Sequence, residues 1–138
     1  MDRRLNPILA FTAAALLAVV GLPSSVQAQD MGRFRVLIPD LFPMDDADDD
    51  FGKDMADELR EIINGLPTHQ AIDEDEIKDA LRRNQLKMED LDCIKTLQLS
   101  RVINAQVAFC ASYRETGEKQ YALFDVSFYD VAASTPFP

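Results

Sequence analysis

The chain has 138 residues, with 14 basic and 24 acidic side chains, two cysteines and no tryptophan. A net charge of −10 repels phosphate backbones and anionic lipid heads, so neither nucleic-acid binding nor membrane docking through a basic patch is expected. This length holds one small domain whose core is modest, so a covalent cross-link would count.

The chain opens with Arg3 and Arg4, followed by the apolar run Ile8 to Val20 (ILAFTAAALLAVV), then Gly21-Leu22-Pro23 and Ser24-Ser25-Val26-Gln27-Ala28. A basic start, a short apolar stretch and small residues at Val26 and Ala28 predict a signal peptide over residues 1–28. The alternative is an N-terminal membrane anchor, but spanning a bilayer takes about 20 apolar residues. No cysteine lies directly after the run to carry a lipid, and no other segment is long and apolar enough to span. The exported part, residues 29–138, is expected to be one domain without membrane insertion, periplasmic or secreted. The signal peptide holds Asp2, Arg3 and Arg4, so 12 basic and 23 acidic side chains remain, a net charge of −11.

In RFRVLIP (Arg33 to Pro39), Phe34, Val36 and Ile38 alternate with Arg33, Arg35 and Leu37, which predicts a strand. Asp40 to Asp50 (DLFPMDDADDD) reads as a surface loop. Phe51, Met55, Leu59, Ile62 and Ile63 recur at helical spacing, so Phe51 to Asn64 is a helix with Asp50 as N-cap and Asn64-Gly65 as its stop. Thr68 to Ile72 is a short strand. A second helix starts at Asp73, where Asp73 and Glu76 have capping-box spacing, and ends near Asn84. A third runs from about Asp92 to Asn104. Ala105 to Tyr113 is apolar on both faces, as a covered central strand would be. Glu115-Thr116-Gly117-Glu118 reads as a turn around glycine. In the last strand, Lys119 to Val131, Ala122, Phe124, Val126 and Phe128 are expected on one face and Tyr121, Leu123, Asp125, Ser127 and Tyr129 on the other. The fold class is α/β (α+β): a mixed sheet of about four strands with three helices, in two or three layers, ending in a β-hairpin.

The third helix leads directly into the strand at Ala105, so the two run antiparallel. From Cys93 to Asn104 the helix travels about 16 Å, and from Ala105 to Cys110 the strand returns about 17 Å. Cys93 and Cys110 therefore end level, which predicts a disulfide worth about 3 kcal/mol by chain entropy. The alternative is two buried thiols that never meet. There is no CxxC motif for redox catalysis.

The order of segments RFRVLIP, FGKDMADELREIINGLP, IDEDEIKDALRR, INAQVAFCASYRETG and FDVSFYDVAAST resembles the TolB N-terminal-like domain. That domain is shared with the curli secretion family CsgG and the outer-membrane activators of penicillin-binding proteins. The resemblance covers most of residues 33–135 and rests on pattern and order. It departs at the Val102 to Ala108 stretch, which lacks the family's glycine before aspartate, and at Tyr129 to Thr135, which lacks its Thr-Gly-Glu turn. The family's closing strand and helix are also missing, as in a truncated copy or fragment. The resemblance implies an envelope protein working through protein contacts, with a partner protein in the envelope and no catalytic residues.

Enzyme constellations are sparse. His69 is the single histidine, with no Gly-x-Ser-x-Gly turn to supply a nucleophile. His69, Cys93 and Cys110 are too few for zinc once the cysteines pair. No glycine-rich phosphate loop is present, and the lack of tryptophan removes the usual sugar platform. No cofactor and no enzymatic activity are expected. The run Asp45, Asp46, Asp48, Asp49 and Asp50 supplies the hard oxygens calcium prefers, although without the EF-hand order. A small calcium-binding secreted module is therefore the alternative reading, against a solvated loop that caps the next helix.

Overall fold

The computed structural model describes residues 32–138. The expected signal peptide, residues 1–28, lies outside the described residues. In chain order the elements are β1 (Phe34–Leu37), β2 (Phe42–Pro43), α1 (Asp49–Asn64), β3 (His69–Ala71) and α2 (Glu74–Arg83). A 3-10 turn (Met88–Asp90) then leads to α3 (Cys93–Val102), β4 (Val107–Gly117), β5 (Gln120–Asp130) and β6 (Thr135–Pro136).

The six strands form one open mixed sheet, five of them in the order β3-β1-β4-β5-β6. β1 lies parallel to both β3 and β4, and β5 is antiparallel to β4 and β6. β2 also runs along β4, pairing Phe42 with Ser112 and Pro43 with Tyr113. The sequence expectation of about four strands missed β2 and β6. Each is two residues long, too short to show a period of two, and each exists because a longer strand offers it an edge.

The sheet is covered on both faces, giving three layers. On one side α1 packs through Ala56 against Val36, Ile38, Ala71, Phe109, Ala111 and Tyr113. On the other, Ile77, Ala80 and Leu81 of α2 and Leu99 of α3 close over Leu37, Ile72 and Ile103. Successive residues of β1 therefore enter opposite cores, as a strand buried on both faces requires.

Local chemistry moves several boundaries. α1 begins at Asp49 because Asp48, not Asp50, is its N-cap, accepting from the Asp50 amide at 3.1 Å. Asp73 caps α2 through the Asp75 amide at 2.8 Å. Glu76 does not return a capping-box bond, because its carboxylate pairs with Arg35 across on β1. Asp92 caps α3, accepting from the Lys95 amide at 2.7 Å. β4 continues through the stretch read as a turn, so the hairpin loop is Glu118-Lys119, with Gly117 opposite Gln120. Lys119 takes the left-handed conformation there, at φ 55°, rather than Gly117.

β5 also departs from strict alternation. Cys110 pairs with Ser127 but Ser112 pairs with Phe124, so β5 carries one extra residue, and Asp125 there has φ 53°. This bulge exchanges the faces of the strand. Tyr121 and Phe128, expected on opposite faces, both pack on the α1 side.

Candidate protein-contact surface

The far half of the β4–β5 hairpin extends beyond the layers that cover the sheet. Arg114 to Gly117 on β4 and Leu123 to Val126 on β5 are exposed. The apolar side chains Leu123, Phe124 and Val126 keep 43%, 40% and 51% of their surface in water. β6 pairs only with Tyr129 and Asp130, and the Phe137 amide donates to the Phe128 carbonyl at 2.8 Å. Among the described residues, the outer edge of β5 from Gln120 to Ser127 has no strand beside it.

An aromatic cluster supports the base of this arm. Phe51 stacks on Tyr121 with ring centroids 4.0 Å apart and meets Tyr113 edge-on at 5.0 Å. The Tyr113 hydroxyl donates to the Asp48 carbonyl, joining β4 to the start of α1. Gly52 makes the approach possible, since a Cβ there would lie 2.6 Å from the Leu41 carbonyl oxygen and 2.8 Å from the Tyr113 ring. Burial pushes the Tyr113 phenol above its ordinary value. The Tyr121 phenol is also raised, by desolvation first and then by the carboxylates of Glu115, Asp48 and Asp50.

The aspartates of the 45–50 stretch do not act as a unit. Carboxylate oxygens of Asp48, Asp49 and Asp50 come within 4.8 Å of one another, all on exposed residues. Asp45 instead bonds Arg114 Nε at 2.8 Å, and Asp46 is not in the group. The Asp48 carboxylate is already engaged in capping α1. The arrangement is a helix start and a negative rim to the hairpin.

Behind the bulge, on the α3 side, lies a cleft of about 630 Å³ with apolar walls from Leu41, Phe42, Met88 and Leu91. Asp49, Asp50, Asp92 and Asp125 border it, with Lys53. Cys93 also lines it and is disulfide-bonded to Cys110, their Cα atoms 5.6 Å apart. Deeper in the fold, Arg60 is 7% exposed and donates to the Ile38 carbonyl and to Asp57, both at 2.7 Å. Asp40 sits 3.6 Å from Arg60, and its Oδ1 is buried without a hydrogen bond. Burial raises the Asp40 carboxyl above 3.8, against the opposing pull of Arg60.

His69 is on β3, far from the hairpin in the strand order. Its Nδ1 shares a hydrogen bond of 2.8 Å with the Thr68 hydroxyl, and its ring lies 5.6 Å from that of Phe34. Among the described residues, no helix is long and apolar enough to cross a membrane. Sequence reasoning missed the open edge of β5 because openness depends on how far β6 reaches. A clue was present in Leu123, Phe124 and Val126, which are apolar on both sides of one strand near the end of a hairpin.

No protein-family model matches the chain, and no curated protein matches it. Solved structures of LpoB share its fold. The LpoB C-terminal domain from Salmonella enterica is 14% identical, with 76% of each chain covered and a TM-score of 0.55. The corresponding Escherichia coli domain is 12% identical, over 74% of this chain and 75% of that one, at a TM-score of 0.58. An NMR structure of E. coli LpoB gives 12% identity and a TM-score of 0.59, covering 73% of this chain but 51% of that one. The chain has the α/β fold of an LpoB C-terminal domain.

Proposed function

We propose that the chain is an exported, non-enzymatic binding or assembly domain, residues 29–138 behind a signal peptide, that works by contacting another protein of the bacterial envelope. The observation that carries this reading is the exposed arm of the β4–β5 hairpin, with Leu123, Phe124 and Val126 in water beside a rim of carboxylates. Exposed apolar side chains on both faces of one strand, with a polar border, are what a protein contact surface looks like before its partner arrives. The LpoB fold supports the reading, as does the resemblance to TolB N-terminal-like domains and to outer-membrane activators of penicillin-binding proteins. No metal, cofactor or catalytic group enters it.

The test is capture from an envelope extract by the processed protein, in oxidised and reduced forms side by side, with retained proteins identified by mass spectrometry. Specific enrichment of one envelope protein by the oxidised form is expected. Equal recovery of background proteins by the oxidised form and an unrelated acidic domain would refute the proposal.

A further inference from the structure

The geometry points to the free edge of β5, Gln120 to Ser127, as a site that takes an extended, basic and apolar segment of a partner protein as an additional antiparallel strand. This rests on the protein-contact reading above and specifies its surface and the partner's chemistry.

Three observations carry it. First, among the described residues, the edge is open and long. β5 has 11 residues, and β6 pairs with only Tyr129 and Asp130 of them. Unpaired main-chain groups along such an edge are a template for another strand. Second, β6 fixes the direction. It already runs antiparallel on this edge, with Tyr129 opposite Pro136 and Asp130 opposite Thr135, so an incoming strand in line with it continues an existing ladder. Third, the charge around the edge has one sign in excess. Asp125 sits within it, Glu115 is paired opposite Tyr121, and the clustered carboxylates of Asp48 and Asp50 stand at the start of α1 beside Phe51, which stacks on Tyr121. Arg114 is engaged by Asp45 and lies 5.8 Å from the Phe124 ring. Lysine or arginine on either face of the added strand would meet carboxylates, while its apolar residues cover Leu123, Phe124 and Val126.

The same features disfavour a second copy of this chain. Two copies of the processed chain bring −11 against −11, and the bulge at Asp125 bends the edge away from the flat geometry that symmetric pairing needs. A flexible peptide can follow the bend.

The probe is an acetylated, amidated octapeptide of alternating lysine and valine, with a glutamate–valine octapeptide as control. Amide hydrogen exchange and fluorescence titration are followed on the processed protein. The lysine peptide is expected to slow exchange within residues 120–127, and the glutamate peptide to leave it unchanged. Leu123→Lys with Val126→Lys, both at exposed positions, is expected to weaken lysine-peptide binding roughly tenfold or more while exchange elsewhere stays as in the wild type. Absence of protection at 120–127 would overturn the proposal, as would equal protection by both peptides. Protection that appears without peptide as the protein concentration rises, together with a dimer in sedimentation, would also overturn it, in favour of a second copy. If the double variant still captures the same envelope protein as the wild type, strand addition fails while the protein-contact reading stands.

Discussion

Replacing Gly52 with alanine tests how tightly α1 is set against the sheet. The added Cβ would lie 2.6 Å from the Leu41 carbonyl oxygen, 2.8 Å from Tyr113 Cε1 and 3.1 Å from the Tyr113 hydroxyl. The nearest of these is backbone, and it belongs to a residue whose amide donates to the Gly52 carbonyl at 3.2 Å. The tyrosine ring has little room to retreat, because Phe51 lies against it and its hydroxyl holds the Asp48 carbonyl. Overpacking of this kind costs about 1–3 kcal/mol, and a backbone clash belongs at the upper end. Alanine recovers about 1 kcal/mol as the better helix former. The net expectation is a loss of about 2 kcal/mol, or roughly 8–16 °C in Tm for a domain of this size. Thermal unfolding followed by circular dichroism measures it, with Asp54→Ala on the exposed side of α1 as a control near zero. A Gly52→Ala protein as stable as the wild type, or more so, would show that helix propensity outweighs the contact and that the close approach is not a constraint.

Three further outcomes can be checked in the same assays. Asp40 is raised by burial, so in the fold its ionised form is disfavoured relative to the unfolded chain. The resulting penalty sets in as pH rises through the unfolded carboxyl value and is fully present above the folded one. Asp40→Asn should therefore have a higher Tm than the wild type at pH 7, with the advantage vanishing below about pH 3.9; a constant difference across pH would contradict this. Tyr113→Phe removes the hydroxyl donor to Asp48 and should cost about 1 kcal/mol, read from the urea midpoint. Replacing Cys93 and Cys110 together by alanine opens a link across 17 positions and should cost about 3 kcal/mol in non-reducing urea titrations.

The elements legible in the sequence were those whose pattern is local. α1 announces itself through Met55, Leu59 and Ile63, which pack on the core side. β4 does so through an apolar run that fills a central strand. What could not be read was decided by partners distant in the chain. Phe42 and Pro43 are a strand only because Ser112 and Tyr113 lie alongside. Glu76 had the spacing of a cap but was taken by Arg35. One extra residue at Asp125 moved Tyr121 to the face of Phe128, and nothing in QYALFDVSF marks that insertion. The candidate contact surface was half legible, since its residue types are plain in the sequence and the missing neighbour along β5 is not.

The place of β1 has a consequence for how the chain reaches this fold. β4 and β5 meet across a loop of two residues, whereas Val36 of β1 must find Ala71 on one side and Val107 on the other. Short closures form sooner than long ones, so the hairpin is expected to assemble while β1, though made earlier, still waits. Pulse-labelling hydrogen exchange would detect this as protection at Phe109 before Val36; the reverse order would contradict it. In the interval, Val36-Leu37-Ile38 is an apolar strand without a sheet, the kind of segment that draws chains into aggregates. Arg33 and Arg35 flank it with positive charge during that wait. Once β1 docks, the same two side chains change roles, Arg33 holding the carbonyls of Asn64 and Leu66 and Arg35 holding Glu76. They act first as guards of an exposed strand and then as latches that keep it in place.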